Sequence, residues 1–265
     1  MQFELLFLSL LAVLASSAVI SPLHHHDWSQ SDRQFYTAVN AIRTSSPSSL
    51  SCTMPQPSDM PSSALPPPSP GLSVFHVAVG RGTQNYTCPS TSSPSSPPLA
   101  LGALANLYNA TCLASFSTPS PLTAVPPILA LSASPPALQD TTPPHPLPAS
   151  SLLTGHHYFT NSTLPTFNLN QASTDSAFGV YFSEKKFNVT APSGSSMGSD
   201  GSTAVPWLKL MVVGEGTVGG DAGVGAGVKE VYRVNTAGGN APSSCEGRVG
   251  ETFEMQYAAE YWFLG

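Results

Sequence analysis

The segment TFEMQYAAEYWF, residues 252–263, sets Phe253, Met255, Tyr257, Ala259, Tyr261 and Phe263 at alternate positions, with Thr252, Glu254, Gln256 and Glu260 between them. A period of two is that of a β-strand with one buried face and one wetted face. A helix competes, because Phe253, Tyr257 and Tyr261 also recur every four residues. The aromatic content and the glycine-rich turns that precede the segment favour the strand. Such a strand needs partners.

The rest of the chain supplies them. Residues 228–236 read as a strand, separated from the last one by Gly238-Gly239 and a loop carrying Cys245. Residues 205–213 (VPWLKLMVV) form the most continuously apolar run after the N-terminal leader, which suits a strand buried on both faces with Pro206 at its start. Shorter strands are expected at 155–160, 166–169 and within 178–189. Residues 99–112 alternate weakly, and Gly102 with two Asn tilts them to strand over helix. Residues 72–79 open the set, with Gly80-Arg81-Gly82 as a turn or bulge before 83–88 continues extended. Phe35, Val39 and Ile42 fall at helical spacing, so one short helix is expected in the N-terminal segment 19–43. Residues 44–70 read as Pro/Ser-rich linker and about 115–150 as a Pro-rich insert. The expected architecture is all-β: a single antiparallel β-sandwich or barrel-like domain over 71–265 with long Pro/Ser-rich loops.

Composition limits function. Only 9% of the 265 residues are charged and the net charge is −6, so no basic stripe exists to engage nucleic acid. Residues 5–14 form an apolar run too short to span a bilayer, followed by the small residues Ala15, Ser16, Ser17 and Ala18. This reads as a signal peptide over 1–18, with the departure that the start carries Glu4 and no Lys or Arg. No later run is long enough to span a membrane, so a secreted product, extracellular or in the cell wall, is expected. Asn85, Asn109, Asn161 and Asn188 each begin an N-x-Thr glycosylation acceptor. If those triplets are extended, Tyr86 and Cys88, and likewise Phe187 and Val189, point inward. Cys52, Cys88, Cys112 and Cys245 are an even set with no C-x-x-C pair, which reads as two disulfides and leaves three connectivities open.

Five blocks in this order, HVAVGRGTQNYTC (76–88), GHHYFT (155–160), VPWLKL (205–210), VYRVNTAGGNAP (231–242) with Cys245, and YAAEYWF (257–263), resemble a secreted family called domain of unknown function 3455, common in filamentous fungi and with bacterial members. The resemblance covers nearly everything from about residue 72 onward. It implies an exported protein with no established activity and no agreed catalytic residues. It also implies a Cys88–Cys245 bridge, which leaves Cys52 to Cys112. Some relatives carry a malate dehydrogenase name. The residues here do not support it: Gly214 to Gly219 match G-x-G-x-x-G after a strand-like run, but the glycines that follow oppose the helix a dinucleotide site needs. No cofactor is expected.

Candidate chemistry is sparse. His156 and His157, with His76, form the one cluster suited to a metal or a general base, yet adjacent strand residues point to opposite faces. Glu230, Glu254 and Glu260 would serve acid/base hydrolysis if paired across strands, though Glu254 and Glu260 fall on the wetted face of the last strand. Trp262, out of phase with the buried face, is the aromatic suited to stacking on a sugar ring, for example of cell-wall polysaccharide. The leading expectation is a non-catalytic binding or structural protein; the alternative is a secreted hydrolase or metal-dependent enzyme using His156 and His157.

Overall fold

The structure is a computed structural model that describes residues 53–61, 63–115, 153–161, 163–170, 178–198, 200–216 and 227–265. The expected signal peptide, N-terminal helix and Pro-rich insert lie outside the described residues. Eight antiparallel strands follow one another around a closed barrel: β1 (Val74–Thr87), β2 (Leu99–Asn109), β3 (Leu153–Thr160), β4 (Leu164–Asn168), β5 (Val180–Val189), β6 (Trp207–Gly216), β7 (Glu230–Gly238) and β8 (Thr252–Leu264). Each strand pairs with its neighbours in sequence, and β8 returns to pair with β1 from Val74 opposite Leu264 to Thr87 opposite Thr252. A single helical turn, α1 (Thr111–Ala114), follows β2. Of the sandwich and the barrel, the chain forms the barrel.

Two expectations about β1 change. Gly80-Arg81-Gly82 is neither turn nor bulge: the strand runs straight through, in register with both β2 and β8. The glycines serve close approach. A Cβ on Gly80 would stand 2.5 Å from the Tyr261 ring, and one on Gly82 would collide with the backbone carbonyl of Leu104. In β5, a register shift between Lys185 and Phe187 turns Phe187 outward, where it is 48% exposed against the inward position its triplet suggested. Continuous burial in β6 holds for its first half only, and Val213 is exposed.

β8 is wetted on one face only at its beginning. From Tyr257 to Leu264 every residue is buried. Tyr257, Ala259, Tyr261 and Phe263 fill the barrel interior, while Ala258, Trp262 and Leu264 join Trp207, Tyr232, Val234 and Leu65 in a second apolar layer on the outside. That outer layer exists because residues 65–69, expected to be linker, lie across β6 and β7 as a strap. Tyr232 Oη donates to Pro66 O at 2.9 Å, Lys209 Nζ to Pro67 O at 2.8 Å, and Ser69 Oγ and N to the Glu230 carboxylate. Beneath the strap Lys209 and Glu230 form an ion pair at 3.1 Å with side chains 6% and 0% exposed. The disulfide Cys88–Cys245 ties the end of β1 to the loop before β8; Cys112 is also disulfide-bonded, and Cys52 lies outside the described residues.

Removing one partner of a buried ion pair strands the other charge. Glu230→Ala is therefore expected to lower unfolding free energy by about 3–5 kcal/mol, read from urea denaturation. A loss below about 1 kcal/mol would mean that the strap carbonyls alone satisfy Lys209.

Candidate functional site

An eight-stranded barrel has an interior just wide enough to be filled by side chains or to hold one small ligand. This barrel does both, in different halves. The closed half is packed with rings: His76 stacks on Phe178 at 4.9 Å, Phe263 meets Phe167 edge-on at 5.4 Å, and Phe167 meets Tyr261 at 5.6 Å. Beyond Tyr261 the inward side chains stop meeting across the axis, leaving a cavity of about 430 Å³. Its walls come from the C-terminal parts of β1, β3, β5 and β7 and the N-terminal parts of β2, β4 and β6. Phe159, Leu164, Pro165, Val205, Leu208 and Leu210 supply much of the apolar wall, and exposed Ala100, Leu101 and Lys185 stand at its rim.

The polar lining of this cavity includes two cations, Arg233 and Lys185. Arg233 is 7% exposed; its Nη2 donates to Pro206 O at 2.9 Å, and its guanidinium also bonds the Tyr261 hydroxyl. Among the described residues its Nε has no hydrogen-bond partner, and the same is true of Ser183 Oγ in the cavity wall; Gln84, also in the lining, has its side chain bonded to the Tyr257 hydroxyl. Among the described residues no carboxylate lies within ion-pair distance of Arg233. Glu184, the acidic residue of the lining, is exposed and paired with Lys186. Tyr261 and Tyr257 share a hydroxyl hydrogen bond of 2.8 Å on the barrel axis.

His157 belongs to this cavity. It stacks on Phe167 at 4.4 Å, and Nδ1 contacts Thr166 O at 2.9 Å. A carbonyl only accepts, so Nδ1 carries the hydrogen and Nε2 is the acceptor. Burial lowers its pKa to about 4, helped by the nearby Arg233 charge and opposed by the Thr166 hydrogen bond.

The other residues singled out from sequence are scattered. His156 lies on the outer face, bonded to Asn106 Oδ1 at 2.9 Å, so the two histidines diverge as strand geometry requires. His76 is sealed in the closed half between Thr111 Oγ1 and Thr154 Oγ1, and burial lowers its pKa to about 3. Glu230 holds the strap outside the barrel, Glu254 is exposed opposite Asn85, and Glu260 lies across from Val234. The three carboxylates pair with one another nowhere. Glu260 is not wetted: it is 1% exposed, accepts from Asn235 Nδ2 at 2.7 Å and Trp262 Nε1 at 3.0 Å, and burial raises its pKa to about 7. Trp262 is 1% exposed, committed to Glu260 and the outer apolar layer, and presents no face to a sugar. Asn109, Asn161 and Asn188 are exposed, and Asn85 is half-buried. Among the described residues no three His, Cys, Asp or Glu side chains gather as a metal site, and no helix is long and apolar enough to cross a membrane.

Sequence reasoning missed Arg233, Gln84 and Ser183. Arg233 had a signal: it shares the inward phase of β7 with Val231, and a charge on an apolar strand face asks for an explanation. Gly214 and Gly216, half of the dinucleotide-like motif, extend β6 antiparallel to β5, whereas the nucleotide fold needs a parallel strand feeding a helix.

Fold and cavity together define an up-and-down β-barrel with a ligand-sized chamber open at one end, an architecture used elsewhere to hold small molecules. Residues 68–265 match the family model described as protein of unknown function (DUF3455), and the chain belongs to that family. No curated protein and no solved structure gives a significant match.

The buried titratable groups set opposing pH dependences. Between about pH 5 and 6 the unfolded chain binds close to two protons at His76 and His157 that the folded barrel excludes, whereas the folded barrel keeps close to one at Glu260 that the unfolded chain has released. The net difference of one proton makes stability rise with pH by roughly 1.4 kcal/mol per unit in that window. Glu260→Gln removes the opposing contribution, so its stability is expected to rise about twice as steeply in urea titrations at several pH values. An unchanged or shallower slope would contradict the assignment.

Proposed function

We propose that this chain is an exported, non-catalytic binding protein that holds a small molecule in the open half of its barrel. The observation that carries the reading is the cavity: about 430 Å³, apolar-walled, with a few converging polar groups and a floor of packed aromatic rings. Its size is that of a ligand pocket and too small for a polymer chain. Export is supported by the N-terminal leader pattern and by the disulfide joining Cys88 and Cys245, a bond that persists in oxidising compartments. The exposed Asn109, Asn161 and Asn188 are suited to carry glycans there.

The enzymatic alternative draws less support. Hydrolysis by a paired acid and base needs the two groups within reach of one bond. Here His156 and Glu230 lie outside the barrel and His76 is sealed in the closed half, so His157 faces the cavity without the partners proposed for it.

Binding is testable with a neutral reporter. N-phenyl-1-naphthylamine is expected to show saturable fluorescence enhancement with the wild-type protein, and Ala100→Trp, which fills the rim from an exposed position, is expected to weaken it at least tenfold with an unchanged melting temperature. Enhancement that does not saturate, or that survives Ala100→Trp intact, would place the dye elsewhere and defeat the proposal.

A further inference from the structure

The cavity wall carries an imbalance that a purely apolar ligand leaves unanswered. Two hydrogen-bond donors in its lining, Arg233 Nε and Ser183 Oγ, lack acceptors among the described residues. Ser183 is fully buried and Arg233 is 93% buried by its 7% exposure, so bulk solvent does little for either. A guanidinium keeps its charge in a protein, and this one has a backbone carbonyl and a tyrosine hydroxyl beside it with no carboxylate in ion-pair range among the described residues. Lys185 adds a second cation at the rim, and the one acid there, Glu184, is held by Lys186. His157 stays neutral beside Arg233, offering its Nε2 as an acceptor.

We infer that the ligand is a small organic acid, whose carboxylate is held by Arg233 with Ser183 and whose apolar body lies against Phe159, Leu164, Leu208 and Leu210. The inference rests on the binding reading above and adds the ligand's chemical class. A carboxylate matches what the wall lacks: it accepts only, carries the charge that Arg233 has no partner for, and takes two parallel hydrogen bonds from one guanidinium. A neutral alcohol or amide answers some of the donors and none of the charge. A bare inorganic anion answers the charge and leaves the apolar wall uncovered. His157 stacks on Phe167 as part of the wall against which the apolar body lies.

The test compares a carboxylate with its uncharged isostere. Displacement of N-phenyl-1-naphthylamine by 3-phenylpropionate and by 3-phenylpropionamide is measured at pH 7 on the intact protein, followed by calorimetry of each. The acid is expected to bind at least tenfold more tightly than the amide. Arg233→Gln is expected to abolish that preference by weakening the acid at least tenfold more than the amide. Arg233→Lys, which keeps the charge and loses the fork, is expected to retain part of it, and it serves where the glutamine variant does not fold. Ser183→Ala is expected to weaken the acid severalfold. Equal affinity for acid and amide in the wild type, or a preference that survives Arg233→Gln, would overturn the inference while dye binding leaves the cavity reading standing. Displacement by phosphate as effective as by 3-phenylpropionate would also overturn it, since the apolar body would then contribute nothing. Absence of saturable dye binding would remove both readings together.

Discussion

Closure of the sheet by the β1–β8 ladder is the constraint on which the rest of the molecule depends. Without it, strands of 14 and 13 residues would each present an open row of backbone donors and acceptors. The ladder is fastened at both ends. Ser73 and Gly265 exchange backbone hydrogen bonds of 3.0 and 3.1 Å at one end, and Cys88 bonds Glu251 and Gly250 at the other. The Cys88–Cys245 bridge closes a separation of 157 residues beside the second fastening, a constraint worth about 5 kcal/mol in the chain-entropy picture. Close approach at the ladder's middle is what Gly80 and Gly82 provide, since a side chain at either position meets Tyr261 or the backbone of β2.

Closure in turn fixes what the interior can hold. Going along β1, the inward positions pass from His76 and Ala78 through Gly80 to Gln84 and Tyr86. Small residues in the middle let Tyr261 and Phe263 cross the axis from β8, and those rings, with Phe167 and His157, form a continuous aromatic floor. Above the floor Tyr86 donates its hydroxyl to Gly239 O at 2.8 Å and so lies along the wall instead of across the axis. The cavity is thus bounded largely by strands fixed in both directions by their ladders, and Gln84, His157, Ser183 and Arg233 sit on strands β1, β3, β5 and β7. A wall of that kind changes little when a ligand enters.

Much of this was legible from alternation. The set Tyr257, Ala259, Tyr261, Phe263 names the interior face of β8 correctly, and the strand count follows from the turn signals between apolar runs. The outer face of β8 was not legible, because the element that covers it is a Pro/Ser-rich segment with no strand pattern, which places Leu65 in the outer apolar layer. Period-two reasoning assigns a strand's second face to water unless something is known to lie on it, so Glu260 and Trp262 were read as wetted when they bond one another in the dark. The same reasoning failed at Phe187, where a single register shift reverses the phase. Of the site, His157 was found because histidine is conspicuous by type. Arg233, Gln84 and Ser183 became visible only when closure brought β1, β5 and β7 around one space.

Lys209 and Arg233, two of the buried cations among the described residues, are treated in opposite ways, and the contrast bears on function. Lys209, on the outer face, has everything a buried charge requires: a carboxylate at 3.1 Å, a carbonyl at 2.8 Å and the Tyr232 ring at 5.3 Å. That arrangement is complete without any ligand, and its evident use is to hold the strap over the second apolar layer. Arg233, on the inner face, is equally removed from solvent but meets a carbonyl and a phenol, with one donor left unmatched beside the Ser183 hydroxyl on a neighbouring wall. A buried donor without an acceptor costs about 1–3 kcal/mol, and a charge more. Lys209 has its charge fully answered by the protein, whereas Arg233 is left short of an acceptor at the edge of a cavity, where an incoming group can complete its set.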